Sequence, residues 1–260
     1  MNGHSAARER LIDDLVTANH ILANEGVLDG FGHVSARDPE DGQRFLLSRS
    51  RSPSLVEHDD IRVFDLDSRP MQTDTAANYS ERVIHGCAYR ARPDVMAVCH
   101  FHAGSVLPFA NTGTKIQPVV HLGALMGHDV AMWDARDEFG STSMLVSTLD
   151  QGHSLARALG QNWSLVLRRH GAMVVGRSLP ELVFRSIVMM LNAEVQLRAQ
   201  SIGEISPLTD DEIDLSTAAN LQPSVQQRVW DYWCSRLQPG NHMPVALPAG
   251  QLLALDTPIA

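Results

Sequence analysis

Cysteine is scarce in this chain: three residues, Cys87, Cys99 and Cys234, in 260 positions. Few, widely spaced and odd in number, they exclude a disulfide framework and a thiolate metal cluster, and predict reduced, mostly buried thiols. Long apolar runs are also missing. No stretch reaches the ~20 residues needed to cross a bilayer. The opening Met1 to Arg10 is polar and has no apolar signal core, so the sequence reads as cytoplasmic, with no membrane partner. Positive charge is in deficit, because 21 Lys and Arg stand against 30 Asp and Glu, a formal net charge of −9. That leaves no basic face for nucleic acid and confines anion recognition to short clusters, Arg49/Arg51 and Arg168/Arg169. Internal repeats and long linkers are absent too. The 44% of hydrophobic residues that remain are enough to bury one large core.

Periodicity supplies the elements. Leu11, Ile12, Leu15, Val16, Ile21 and Leu22 recur with helical spacing from Arg8 to about Asn24, and Gly26 offers a stop. The loop Gly30-Phe-Gly-His33-Val-Ser35-Ala-Arg37 then turns into a short strand. It either brings His33, Ser35 and Arg37 to a ligand or simply enters a sheet. Arg44 to Ser48 and Ile61 to Leu66 read as strands. Between them Arg49-Ser-Arg51-Ser-Pro53 carries two guanidinium groups with no acid before Glu57, and their planar forks suit a carboxylate or phosphate unless the loop is merely solvated. A helix over Ser80 to Arg92 runs into a strand over Val95 to Phe101, and Ile116 to His121 reads as another strand. Ser164 to Gly176 reads as two strands joined at a His170-Gly171 turn, and Ser178, Pro180 and Glu181 open a long helix through Leu197. The last 55 or so residues are rich in Asp, Gln and Pro around Val229-Trp-Asp-Tyr-Trp233, an aromatic group that anchors the tail to the body or to another subunit.

The chemistry centres on His100-Phe101-His102. Side chains alternate along a strand, so both histidines emerge on one side, as two ligands of one metal ion would. With twelve histidines in the chain, close pairs also arise by chance. Glu81 has two readings: with Asn78 it has the spacing of a capping box, and the helix-strand unit also returns the histidine end of the strand to it. His170 offers a third ligand at a sheet edge. His121 and His128 read as ordinary polar contacts.

With Glu81, His100-Phe-His102 and His170-Gly171 in this order and context, the sequence resembles the class II aldolase and adducin family over about Leu11 to Leu197. The resemblance implies an α/β fold: a single α/β/α domain over 1–205 with a central, mainly antiparallel sheet, and a tail over 206–260 packed on that domain or a neighbouring subunit. It implies a homotetramer with active sites between subunits. It also implies one divalent metal ion per subunit, zinc or else manganese, iron or cobalt, on His100, His102 and His170, with Glu81 handling protons beside it. Three neutral imidazoles leave open positions for substrate oxygens.

The sugar-phosphate aldolases of this family usually have an asparagine in the loop where Phe31-Gly-His33-Val-Ser35 stands, and a Thr/Gly-rich phosphate loop where Leu47 to Arg51 stands. The sequence looks instead like the branch containing decarboxylases of hydroxylated aromatic dicarboxylates, which act on a hydroxy-methylpyridine dicarboxylate or a dihydroxyphthalate. That implies a carbon-carbon lyase passing through a metal-stabilised carbanion-like state. His33, Ser35, Arg49, Arg51, Ser80 and Tyr232 are then the expected contacts to a small carboxylate substrate. An aldolase or epimerase of a non-phosphorylated hydroxy-keto acid is the alternative. An adducin-like scaffold without catalysis is the third reading, against which the intact histidine set argues.

Overall fold

The computed structural model describes residues 5–72 and 75–238. Seven short strands form one sheet: β1 (His33–Arg37), β2 (Arg44–Ser48), β3 (Ile61–Asp65), β4 (Ala97–Phe101), β5 (Ala131–Trp133), β6 (Ser164–Leu167) and β7 (Gly171–Gly176). Their order across the sheet is β3-β2-β1-β4-β7-β6-β5. Every neighbouring pair is antiparallel except β5 and β6. The helices are α1 (Ala6–Asn24), α2 (Val83–Ala91), α3 (Leu107–Thr112), α4 (Ala135–Phe139), α5 (Leu149–Leu159), α6 (Leu179–Ile202), α7 (Asp210–Asn220) and α8 (Pro223–Arg236).

Because strand side chains alternate, each strand feeds two cores. Val34, Ala36, Cys99, Phe101 and Val174 pack against α1 and α6 on one face. Leu47, Val98, Met173 and Val175 pack against α2 and α5 on the other. The result is the expected α/β/α sandwich with a mainly antiparallel sheet. Central β4 is buried along its whole length, which is why it reads as a continuous apolar run. Ser178 caps α6 by accepting from the Glu181 N–H, with Pro180 in the first turn, as its sequence predicts.

Ile116 to His121 does not form the expected strand. Pro118 carries no N–H for a ladder, and side-chain amides of α6 take the place of a partner strand. Asn192 accepts from Val119 N at 2.9 Å and donates to Gln117 O at 2.8 Å. Gln196 accepts from Gln117 N at 2.9 Å and donates to Lys115 O at 3.0 Å. These bonds satisfy the extended backbone, and a 3-10 turn over His121–Met126 follows.

Within the described part of the tail, Trp233 packs edge-on against Phe184 of α6, ring centres 5.7 Å apart. Arg236 meets Glu25, just beyond α1, at 2.6 Å, with both side chains buried. Residues 239–260, the remainder of the 206–260 tail, lie outside the described residues. Removing one partner strands a buried charge, so Arg236→Leu is expected to cost about 3 kcal/mol, read as a lower urea midpoint at an unchanged slope. Cys87 and Cys99 are buried and free, and Cys234 is free and half-buried. Burial pushes the Cys87 and Cys99 thiols up to about 12, so both stay protonated and inert. Among the described residues no helix is long and apolar enough to cross a membrane.

Candidate active site

Three elements converge at one end of the sheet. β4 delivers His100, and His102 follows directly after the strand ends at Phe101. The tight turn between β6 and β7 presents His170 after Arg169, whose backbone is left-handed at φ 58°. A 3-10 turn over Ser80–Arg82, just ahead of α2, supplies Glu81. Gly171 is needed for this approach, because a Cβ there would lie 2.3 Å from the Phe101 carbonyl oxygen and 2.8 Å from the His102 ring. Gly32 plays the same part on the other side. Its φ is +78°, and a Cβ would sit 2.9 Å from the His100 carbonyl oxygen.

The donor atoms of Glu81, His100, His102 and His170 all lie within 4.8 Å of one another. His100 Nε2 is 3.3 Å from His170 Nε2. Glu81 Oε2 stands 3.7 Å from His100 Nε2 and 3.6 Å from His170 Nε2. The His102 and His170 rings stack with 5° between their planes, and the His100 ring is perpendicular to His102. His100 Nδ1 lies 3.0 Å from the Ala172 carbonyl. A carbonyl only accepts, so Nδ1 carries the hydrogen and the Nε2 lone pair faces the cluster.

Burial holds His100 well below the ordinary imidazole range, and it lowers His102 and His170 as well, with Glu81 opposing it at His170. All three rings are therefore neutral donors at pH 7. Burial raises the Glu81 carboxyl, against the pull of His170 and of the Val146 N–H, which donates to Oε1 at 2.9 Å. Three neutral imidazoles and one carboxylate fit a divalent cation.

Glu81, His102 and His170 line a cleft of about 600 Å³, together with His33, Arg51 and Ser80. Those six sequence-predicted residues share one cavity, and His100 lies fully buried beside it. The other expected contacts are placed elsewhere. Ser35 is fully buried, its hydroxyl 2.6 Å from His85 Nδ1 and 2.7 Å from the Tyr89 hydroxyl, so it cannot meet a ligand in the cleft. Arg37 is structural as well: it donates to the carbonyls of Val95, Tyr89 and Arg92. Arg49 is tied to Asp60 at 2.5 Å and does not line the cavity. Tyr232 is exposed on α8, beneath the Arg236 guanidinium, and is not part of the cavity wall.

The loop around the arginines is also not free of acid, as its sequence had suggested. Asp60 binds both Arg49 and Arg51, the latter at 3.1 Å. Although burial favours its neutral form, the Glu57 N–H and the Arg49 guanidinium pull its carboxyl below the usual range. The capping-box reading of Glu81 fails too, because its carboxylate turns inward to Val146 and the histidines. His128 pairs with Asp210 and Asp214 on the surface, and the His121 carbonyl accepts from Ser216. The His128 ring is thus a polar contact, as expected, whereas His121 is held through its backbone.

Sequence reasoning missed four residues. Tyr79, whose hydroxyl donates to the Arg51 carbonyl, precedes Ser80-Glu81 and was within reach of that motif. Phe31 and Leu145 line the cleft, and no local signal places Leu145 there. His85 lies behind His33, one helical turn past Glu81, with its Nε2 2.6 Å from His33 Nδ1.

Burial pushes His85 down to about 3. The unfolded chain binds its proton near pH 6.5 and the folded chain does not. Stability present above pH 6.5 is therefore lost as pH falls from there toward 3, by roughly tenfold in the folded-to-unfolded ratio per pH unit for this one group. His85→Phe is expected to make that acid limb shallower by one proton in urea titrations run across the range.

Comparison with known proteins follows the same lines. Residues 13–197 match the Class II Aldolase and Adducin N-terminal domain. The chain is 30% identical over 248 residues to decarboxylase tropJ of Talaromyces stipitatus, covering 87% of this chain and 93% of that protein. It is 29% identical over 234 residues to 3,4-dihydroxyphthalate decarboxylase of Arthrobacter keyseri, covering 84% and 91%. Among solved structures, L-fuculose 1-phosphate aldolase of Glaciozyma antarctica superposes with a TM-score of 0.75 at 22% identity, over 91% of this chain and 92% of that one, a likeness of fold. The two decarboxylase relatives support a lyase role.

Proposed function

The chain belongs to the class II aldolase and adducin family, and from that premise we propose that it is a metal-dependent lyase that removes a carboxylate from a hydroxylated aromatic dicarboxylate. The observation that carries this reading is a buried carboxyl, Glu81, packed against three neutral histidines at a cleft that Arg51 also lines. A divalent cation held by His100, His102 and His170 supplies, when bound, the positive charge that draws off the electron pair left as a C–C bond breaks.

The chain's own residues do the rest. Arg51, with His33, holds a substrate carboxylate, and the Tyr79 hydroxyl braces the Arg51 backbone. Phe31 and Leu145 give the cleft apolar walls for a ring. The Val146 N–H anchors Glu81 Oε1 and leaves Oε2 toward the histidines. As the bond to the departing carboxylate breaks, its electron pair stays on the ring carbon. The proton held on Glu81 takes the vacated position, CO2 leaves, and water reprotonates the carboxylate. Zinc, manganese, iron or cobalt suits the donor set. Cytoplasmic location, a homotetramer, and a tail packed on its own domain or on a neighbouring subunit belong to the same proposal.

The test is a paired screen, with hydroxylated benzene and pyridine dicarboxylates assayed for CO2 and non-phosphorylated aldols assayed for aldehyde. CO2 release supports the proposal, and aldehyde release from the second panel alone overturns it in favour of the aldolase reading. Arg51→Ala is expected to raise KM for the dicarboxylate about 10- to 100-fold by removing a charged hydrogen-bond donor. Arg49→Ala should leave KM near wild type and act on stability through Asp60. Equal KM values for Arg51→Ala and wild type would remove Arg51 from substrate binding.

A further inference from the structure

Behind the cleft wall runs an unbroken chain of polar side chains. His33 Nδ1 is 2.6 Å from His85 Nε2, His85 Nδ1 is 2.6 Å from Ser35 Oγ, and Ser35 Oγ is 2.7 Å from the Tyr89 hydroxyl. His85 and Ser35 are fully buried, Tyr89 is 1% exposed and His33 is 3% exposed. His33 alone of the four lines the cleft. The chain joins two elements, because His33 and Ser35 lie two apart on β1 while His85 and Tyr89 lie one turn apart on α2.

Such a chain has two hydrogen directions, and burial distinguishes them. In one, His33 Nδ1–H donates to His85, His85 Nδ1–H donates to Ser35, and Ser35 donates to Tyr89. The phenol hydrogen is then left with no acceptor, since Ser35 Oγ is donating to the Tyr89 hydroxyl and the Val98 backbone N–H that also meets it can only donate. A buried donor without a partner carries its full desolvation penalty. In the other, the Tyr89 O–H donates to Ser35, the Ser35 O–H donates to His85 Nδ1, and His85 Nε2–H donates to His33 Nδ1. Every interior hydrogen is then used, and the only N–H left over is His33 Nε2–H, on the residue that reaches the cleft. Burial, which lowers both imidazoles, keeps the two rings neutral in either direction.

We propose that Tyr89, Ser35 and His85 are positioning residues that lock His33 as a neutral Nε2–H donor to a carboxylate oxygen of the substrate, so that His33 binds and orients but accepts no proton. The substrate oxygen as acceptor rests on the function proposed above; the locked tautomer does not. The arrangement divides labour within one cleft. Glu81 is left as the group that holds a mobile proton, and His33 opposes Arg51 with a donor that carries no charge.

The tautomer is read directly by long-range 1H–15N correlation on the full chain, zinc-loaded and labelled with 15N-histidine, with the His33 signals identified by their loss in His33→Gln. The expected result is a protonated Nε2 and an unprotonated Nδ1 at His33, and the same pattern at His85. A hydrogen on His33 Nδ1 overturns the proposal. Binding of phthalate, a dicarboxylate without ring hydroxyls, is then measured by calorimetry. His85→Leu is expected to bind it about tenfold more weakly than wild type, as for loss of one oriented hydrogen bond to a charged group. His85→Gln, whose amide can still donate to His33 Nδ1, should recover most of that loss. A structural role alone would move the melting temperature of both variants without this split, and phthalate binding by folded His85→Leu at wild-type strength overturns the positioning role. A locked Nε2–H tautomer in a protein that releases no CO2 from any dicarboxylate would leave the lock standing and reject the proposed function instead.

Discussion

Glu81→Gln is expected to lower turnover by about 10²- to 10⁴-fold, the usual contribution of a positioned general acid. The substitution is nearly isosteric. Its amide oxygen can still accept from the Val146 N–H, the 2.9 Å bond that fixes the side chain, so the fold should be retained. What disappears is the proton. A carboxyl whose burial favours the protonated form can carry a hydrogen into the cleft and release it there, whereas a carboxamide cannot. Three measurements on one variant separate the possible roles. Lost turnover with metal content and melting temperature preserved supports proton delivery. Lost metal content makes Glu81 a fourth ligand, which its 3.6–3.7 Å distance to His100 and His170 would also serve. Wild-type turnover with a lowered melting temperature would reduce Glu81 to a tether for the Val146 loop.

His102→Ala is expected to abolish turnover together with metal retention. His102 is the ligand of choice because it is half-buried at the cleft, whereas His100 sits fully buried in the central strand and its loss would damage the core. Affinity should fall by more than the ~10–100-fold typical of losing an outer-shell partner, read by elemental analysis after gel filtration. Metal and folding are linked. If free metal stands at a hundred times its dissociation constant, a chelator should remove about 3 kcal/mol of wild-type stability. The same chelator should leave the melting temperature of His102→Ala unchanged. A wild-type protein that binds no divalent metal, and gains no activity on reconstitution, would rule out the metal centre.

The parts of this site that could be read from the sequence are those within one element or one short turn. The His100-Phe101-His102 spacing works because a strand repeats every two residues, and the His170-Gly171 turn works because only glycine tolerates the Phe101 carbonyl 2.3 Å from where its Cβ would stand. Glu81 was legible through its place ahead of a helix that feeds β4. The errors share another character. Ser35 and Arg37 follow His33 out of a glycine-containing loop that, read locally, either brings all three to a ligand or simply enters a sheet. Arg49 was read as a clamp because no acid precedes Glu57 in its loop. In each case the partner lies on another element or beyond the window: Tyr89 and His85 on α2, the Val95 carbonyl beside β4, and Asp60 eleven residues past Arg49. Ile116 to His121 failed for a related reason. The segment is extended, but Asn192 and Gln196 of α6 pair with it in place of a strand.

The sequence by itself determined the buried central strand and the one-sided His100/His102 pair, because hydrophobic alternation and two-residue spacing are properties of short stretches of chain, while the class of fold and the grouping of His170 with that pair came with the resemblance to the class II aldolase and adducin family. Only the tertiary structure decided which polar side chains face the cleft and which brace it. A serine or arginine has the same local grammar in either role, and what separates the two is the buried acceptor or donor brought to it across the fold, at a desolvation cost that no local pattern records.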